Sequence, residues 1–282
     1  MYEEYNLDLQ AFAKRVYDSI LYQSTFYKFL NTAYIGELRQ TGAPVIEIAK
    51  TNALSVNVRD TREIQNRLNP SLVTYGRTMV DLTELPMDYS IRVPLVVAGS
   101  DISNAVQDAA DLQDAAIARQ IDTYGYGKLA ANANIVEVEW NPLTKEDYIS
   151  ILNNLRATLF NKNITGDYRI GLGATEYANF VSALTSVLKF ETLAGREGVD
   201  MGEIAVAYGI SAFEINDNVL GGAVGYFFNP IAVVGDTFFS AFVQHNSPQG
   251  YPGYYVLEGN QMFGAEVVRP EAIIRLVEEV SA

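Results

Sequence analysis

Residues 51–100 read TNALSVNVRDTREIQNRLNPSLVTYGRTMVDLTELPMDYSIRVPLVVAGS, and the fold turns on this stretch. In Leu54, Val56 and Val58 every second side chain is apolar, with Ser55, Asn57 and Arg59 between them, the period of a strand with one covered face. Tyr89, Ile91, Val93, Leu95 and Val97 repeat it as a return limb, and Val80 with Leu82 marks a further strand segment before that limb. Between the limbs, Asp60, Thr61, Arg62, Glu63, Gln65, Asn66, Arg67, Asn69, Pro70 and Ser71 carry charge and turn chemistry but too little apolar surface for a core. A limb of about fifteen to twenty residues spans roughly 50–65 Å at about 3.3 Å per residue. A globule of this length has a radius of gyration of only about 19 Å. The hairpin therefore folds back into a sandwich or projects beyond its own domain. Pro86 and Pro94 favour projection, because proline in a strand belongs at an edge or a break. A projecting arm of this size points to a partner that is another copy of the same chain.

The chain has 282 residues, 49% of them hydrophobic, enough for one or two cores. It has no cysteine, which excludes disulfides and thiolate metal sites. A net charge of −14 argues against a dedicated nucleic-acid grip, which needs clustered lysine and arginine. The charge is unevenly spread. Residues 51–98 balance five arginines against five acids, and nearly all the negative excess lies after Gly99. A balanced arm can lie on a neighbour, whereas an acidic one would repel its own copies. Glu3, Glu4 and Asp8 stand where a signal peptide would be basic, and the longest apolar run, Ala223 to Val234, is interrupted by Asn229 and Pro230. The expectation is a soluble protein made inside a cell, with no membrane span.

Around the extended stretch the elements alternate. Asn6 is expected to cap a helix with Leu9, Phe12, Val16 and Ile20 on one face. Ser100 is expected to open a long helix whose stripe is Ile102, Val106, Ala109, Leu112, Ala116, Ile117, Ile121 and Tyr124, with Asp101 at its positive end. If it reaches Ala130 it is about 45 Å long, although Gly125 and Gly127 allow an earlier end. Thr144 and Asp147 form a capping arrangement ahead of Tyr148, Ile151, Leu152, Leu155 and Leu159. Tyr168 to Ala174 reads as a buried strand, and Thr175 as the cap of a helix facing inward through Tyr177, Phe180, Val181 and Leu184. The remainder is strand-rich and closes with segments at Ala265 to Val268 and Ile273 to Glu278.

Candidate chemistry is sparse. His245, the single histidine, has Asp236 and Ser247 near it in sequence, but Ser247 lacks the glycines of a nucleophile elbow. Gly171-Leu172-Gly173 leads from strand to helix, yet Glu176 replaces the third glycine of a dinucleotide fingerprint and sets a negative charge where a phosphate would sit. A tight strand-to-helix turn is the simpler reading. Glu137 with Glu139, and Asp108, Asp111 and Asp114, fall at spacings expected on solvated faces. The 18 tyrosines are not interleaved with basic residues as single-strand binding requires; they suit an interface or a packed core. No catalytic residue, cofactor or metal site is expected.

The order of elements resembles the tailed-bacteriophage major capsid proteins of the Hong Kong-type fold, an α+β architecture. The resemblance covers nearly the whole chain: an N-terminal arm (1–50), an extended β-hairpin loop (51–99), a peripheral domain with a spine helix (100–143), an axial α/β domain (144–255) and a return to the peripheral domain (256–282). Tyr168-Arg-Ile-Gly-Leu-Gly-Ala-Thr-Glu-Tyr177 is similar to the family's strand-into-helix segment, Gly209 to Asn216 to the strand entering the second half, and Val268-Arg-Pro-Glu-Ala-Ile-Ile274 to its last peripheral strand. The resemblance implies hexamers and pentamers closing into an icosahedral virion shell around double-stranded DNA, assembled in the host cytoplasm with a portal. It also implies a separate scaffolding protein or a leader already removed, since no long helical leader precedes the arm. In this picture the loop lies across a neighbour, with Arg59, Arg62, Arg67 and Arg77, together with Asp60 and Glu63, expected in salt bridges and Leu68 and Leu72 in support. Some family members cross-link through a lysine in this loop, but none occurs between Lys50 and Lys128, so no covalent mesh is expected there. The alternatives are an encapsulin-like compartment shell, which resembles the same fold, and a soluble hydrolase using Asp236 and His245.

Overall fold

The computed structural model describes residues 8–31, 45–51, 75–95, 102–184, 203–207, 209–239, 242–246 and 248–278. Helix α1 spans Leu9–Gln23 and is capped by Asp8, not by Asn6, which lies outside the described residues. One Asp8 carboxylate oxygen accepts from the amides of Gln10 and Ala11, satisfying donors that a helix start leaves free. Phe12, Val16 and Ile20 are buried, as their spacing predicts.

These side chains pack toward the spine helix α2, Ile102–Ala131, which runs through Gly125 and Gly127 without a break. Its buried face includes Val106, Ala110, Asp114, Ile117, Ile121, Asp122, Tyr126 and Leu129. The stripe expected from the sequence is therefore partly wrong: Leu112 is 75% exposed and Ala116 is also exposed. A reading that sorts residues by polarity misses this, because two carboxylates, Asp114 and Asp122, occupy inward positions.

The extended stretch is organised differently from the expected pair of limbs. Strand β1, Val45–Thr51, pairs antiparallel with β2, Tyr75–Asp81, in a register running from Val45 opposite Asp81 to Thr51 opposite Tyr75. The return limb is thus the Val80 segment. Leu54, Val56 and Val58 lie outside the described residues, as does Val97. The alternation at Tyr89, Ile91 and Val93 belongs to β3, Leu85–Pro94, whose partner is β11, Tyr254–Val267. Period-2 patterning reports that a strand has a covered face, but it does not name the strand beside it. Pro86 and Pro94 are admitted because β3 is an edge strand, in the order β10-β11-β3. The opposite side of β11 is shared by β9, Val233–Phe239, and β10, Val243–Asn246.

A six-stranded sheet completes the chain, in the order β4-β12-β8-β5-β7-β6. Its members are β4 (Val136–Glu139), β5 (Tyr168–Gly173), β6 (Glu203–Ala207), β7 (Ile210–Ile215), β8 (Gly225–Phe228) and β12 (Ile273–Val277). Helix α3, Lys145–Asn161, opens with the expected Thr144–Asp147 capping box, and Tyr148, Leu152, Leu155 and Leu159 are buried. Helix α4, Ala174–Leu184, follows β5 with no intervening residue, so Thr175 sits inside the first turn and not at the cap. The closing strand β12 inserts between β4 and β8 of this sheet. One continuous core links α1, α2, both larger sheets, α3 and α4, and a small second cluster of Val80, Leu82, Val234 and Val268 underlies the base of the β1–β2 ribbon.

Candidate functional site

The ribbon base is built to hold a direction. Asp81 accepts hydrogen bonds from the Thr83 amide (2.8 Å) and hydroxyl (2.7 Å), which closes the turn from β2 into β3. These two bonds hold the Asp81 carboxyl below the usual carboxylate range. Next to it, Lys128 of α2 pairs with Glu84 of the same turn and with Glu266 of β11 (3.2 Å), and donates to the Ala265 carbonyl (2.8 Å). Tyr124 donates to Glu84 as well. Burial alone would raise the Glu84 carboxyl, but the hydrogen bonds from Lys128 and Tyr124 win, and it lies below its ordinary value. Lys128 shows the mirror image: burial opposes its charge, Glu84 and Tyr124 favour it, and its affinity for the proton rises. Tyr124 is pushed up to about 12 by burial and by its bond to Glu84. Below this ion cluster, β11 crosses the ribbon base so closely that a Cβ on Gly264 would collide with the Asp81 carbonyl oxygen. The ribbon is thus tied to the spine helix by charge and to β11 by backbone contact.

Of the residues expected to touch a neighbour, Arg59, Asp60, Arg62, Glu63, Arg67, Leu68 and Leu72 lie outside the described residues. Arg77 sits on β2 opposite Ala49. The sequence reading missed Met79, which is 68% exposed on β2 beside the buried Val80. The alternation rule carries that signal, since an inward Val80 sets Met79 outward.

The catalytic alternative does not assemble. Asp236 pairs across β11 with Gly264, while His245 pairs with Val256. Eight positions along one strand separate these sites, about 27 Å at roughly 3.4 Å per residue. Asp236 is buried in β9, receives the Tyr17 hydroxyl at 3.2 Å and accepts from the adjacent Thr237 amide at 2.8 Å; His245 is exposed. Ser247 lies outside the described residues. Glu176, at the start of α4, accepts from the Trp140 indole (2.9 Å) and the Tyr148 hydroxyl (2.8 Å), so it pins α4 to α3 and to the end of β4. Gly173 leaves room for the Asp217 carboxylate, a second negative group against the same helix start. That environment repels phosphate. Asp108 and Asp111 are exposed as expected, but Asp114 is buried. Among the described residues no group of three potential ligands is placed to hold a metal ion, and no helix is long and apolar enough to cross a membrane.

A spine helix, an antiparallel ribbon leaving its flank and a mixed sheet beyond it make up a fold that solved chains of phage particles share. A chain of Mycobacterium phage Che8 superposes over 100% of this chain and 95% of its own length, with a TM-score of 0.60 at 14% identity. The capsid structure of the cyanophage P-SCSP1u matches over 85% of this chain and 84% of that one, with a TM-score of 0.59 at 14% identity. The crystal structure of a virus-like particle from Pyrococcus furiosus matches over 93% and 98%, with a TM-score of 0.50 at 10% identity. No family model matches the sequence, and no curated protein matches it. At these identities the likeness is one of fold.

Proposed function

We propose that this chain is a major capsid protein, a structural subunit that self-assembles into the icosahedral shell enclosing the double-stranded DNA genome of a tailed bacteriophage. The observation that carries the reading is the likeness of fold, over 84% or more of each chain, to a chain of Mycobacterium phage Che8 and to the capsid of the cyanophage P-SCSP1u. In this reading hexamers and pentamers form the shell. Segment 51–99 lies across the adjacent subunit through Arg59, Arg62, Arg67 and Arg77, with Asp60, Glu63, Leu68 and Leu72. Region 144–255 faces the local symmetry axes, and 100–143 with 256–282 lies at the periphery. Assembly takes place in the host cytoplasm with a separate scaffolding protein and a portal, and the finished shell is part of the virion. Single exposed ion pairs contribute only about 0–1 kcal/mol, so the shell's stability rests on many repeated contacts and buried apolar area. The acidic remainder of the subunit suits a container that holds DNA without gripping it.

Electron microscopy of the purified protein tests this. Closed shells or capsomers are the expected result, and a monodisperse monomer at high concentration would overturn it. A compartment shell enclosing cargo protein is the second reading, since a shell of either kind can be built on this fold. Nuclease-protected DNA inside particles from infected cells separates the two.

A further inference from the structure

Asp114 lies at the junction of three elements and takes part in neither the ribbon base nor any feature of the shell reading. It is fully buried on α2. The Tyr89 hydroxyl of β3 donates to Oδ1 at 3.1 Å, Ser19 of α1 faces the same carboxyl, and Oδ2 has no partner among the described residues. The charged groups facing it are Arg15 of α1 and Asp111 of α2, and these two are paired with each other. Tyr89 is the titratable group facing it from β3, and burial and the adjacent carboxylate keep that phenol protonated. From β11, Gly259 stands opposite Tyr89 and brings no charge. The Phe12 ring of α1 packs edge-on against Tyr89 and against Phe242, so the lid over this carboxyl is α1 itself. Just beyond α1, Ser24, Thr25 and Phe26 are tied to Asp122, a fixed point about which the helix can lift.

We propose that the seat of α1 on the spine helix and β3 is a pH-sensitive latch, tightened when Asp114 takes up a proton and loosened when it ionises. The proton removes the charge from a dry site, whereas the anion leaves a charged, buried oxygen without a donor. Burial pushes the Asp114 carboxyl up to about 6, against the opposing hydrogen bonds from Ser19 and Tyr89 and the charge of Arg15. Lifting α1 would return it to the ordinary range near 3.8. The seated form therefore holds its proton more firmly. Its advantage is full below the ordinary value, and it is lost as pH rises through the seated value. Between about pH 5 and 7 the seating equilibrium weakens about ten-fold.

The latch rests on single-chain geometry and does not depend on the shell reading. Amide exchange of residues 9–23, corrected for the intrinsic rate and read by mass spectrometry on the full chain from pH 5 to 7.5, tests it. The expected result is an opening about ten-fold more frequent at pH 7 than at pH 5 in the wild type, and a flat profile in Asp114→Asn. Tyr89→Phe, which keeps the ring but removes the donor to the carboxylate, provides a test that does not require Asp114→Asn to fold: its transition moves to higher pH. Equal protection at both pH values in the wild type, an unchanged ten-fold dependence in Asp114→Asn, or an unmoved transition in Tyr89→Phe would each overturn the proposal.

Discussion

The ring of Phe26 rests on the bare Cα of Gly125, so close that a Cβ at that position would overlap the ring. The glycine inside the spine helix is thus a socket. It seats the segment after α1 against α2, where Phe26 also meets Tyr126 and Phe263 edge-on and stacks on Phe29.

Two substitutions two residues apart should therefore have opposite signs. Glycine to alanine in a helix interior stabilises by about 1 kcal/mol when nothing obstructs the new methyl. Gly127 meets that condition, with no atom within 4 Å of the added Cβ. At Gly125 the Phe26 ring must move, and overpacking of that kind costs about 1–3 kcal/mol. Gly127→Ala is expected to raise the denaturant midpoint and Gly125→Ala to lower it; a rise in both would show that the socket has slack.

Asp122 holds the entry to the same socket. Its carboxylate accepts from the Ser24 hydroxyl (2.6 Å), the Phe26 amide (2.9 Å), the Thr25 hydroxyl (3.0 Å) and the Thr25 amide (3.2 Å). Truncation strands several of these donors in a dry place. Asp122→Ala is expected to destabilise by about 2–4 kcal/mol, given a penalty of about 1–3 kcal/mol for each buried donor left unmade and partial relaxation of the rest. Ser24→Ala, which removes one donor and leaves the acceptor otherwise satisfied, is expected to cost less by equilibrium unfolding.

Much of this was legible in the sequence, and the failures share a cause. Helical spacing placed α1, α3 and the interior of α2, because those faces are apolar. Alternation identified β3 as a strand, but its partner β11 begins at Tyr254, and nothing local in either segment names the other. The cap at Asp8 was missed because Asn6 offers the same capping chemistry two residues earlier, and the buried Asp114 and Asp122 were missed because charged side chains were assigned to solvent by type. Tyrosine content was read as suiting either an interface or a core; Tyr89, Tyr126, Tyr226 and Tyr255 are core residues, while Tyr22 and Tyr251 are exposed. The ion cluster at the ribbon base joins Glu84, Lys128 and Glu266, three residues remote in sequence, and no spacing rule finds it.

Lys128→Met tests that cluster. The ion pairs are partly exposed and contribute about 0–1 kcal/mol each, and the Ala265 carbonyl loses a donor, so the expected loss is about 1–2 kcal/mol. The pH dependence has a definite sign. With Glu84 lowered from 4.5, its share is present above that value and is lost as pH falls through the lower folded value. With Lys128 raised from 10.5, its share is present below that value and is lost as pH rises through the higher folded value. The stability difference between wild type and Lys128→Met should be flat from about pH 5 to 10 and shrink outside that window. A difference varying strongly near neutrality would assign the effect to another group.

Charge reversal in the loop should separate folding from assembly. Arg59, Arg62 and Arg67 precede β2 and belong to a stretch whose charges balance, whereas the rest of the chain is acidic. Replacing all three with glutamate is expected to leave the subunit's unfolding free energy nearly unchanged, since the segment's sequence has too little apolar surface for a core. Shell formation, followed by light scattering, should be abolished. Assembly at the wild-type rate would remove these arginines from the proposed contact.

The absence of lysine between Lys50 and Lys128 bears on how finished particles behave in denaturant. An isopeptide bond needs an ε-amine, and the segment proposed to lie across a neighbour offers none. With no amine of its own to contribute, the segment is expected to hold by a sum of apolar burial at positions such as Met79, Leu68 and Leu72 and of charge pairs weakened by salt. Mature particles boiled in detergent are expected to release a single monomeric species, and particles in high salt to lose subunits more readily than in low salt. A ladder of covalent multimers on a denaturing gel would show that neighbouring chains are joined through other residues, and that the loop's contacts are not what holds the shell closed.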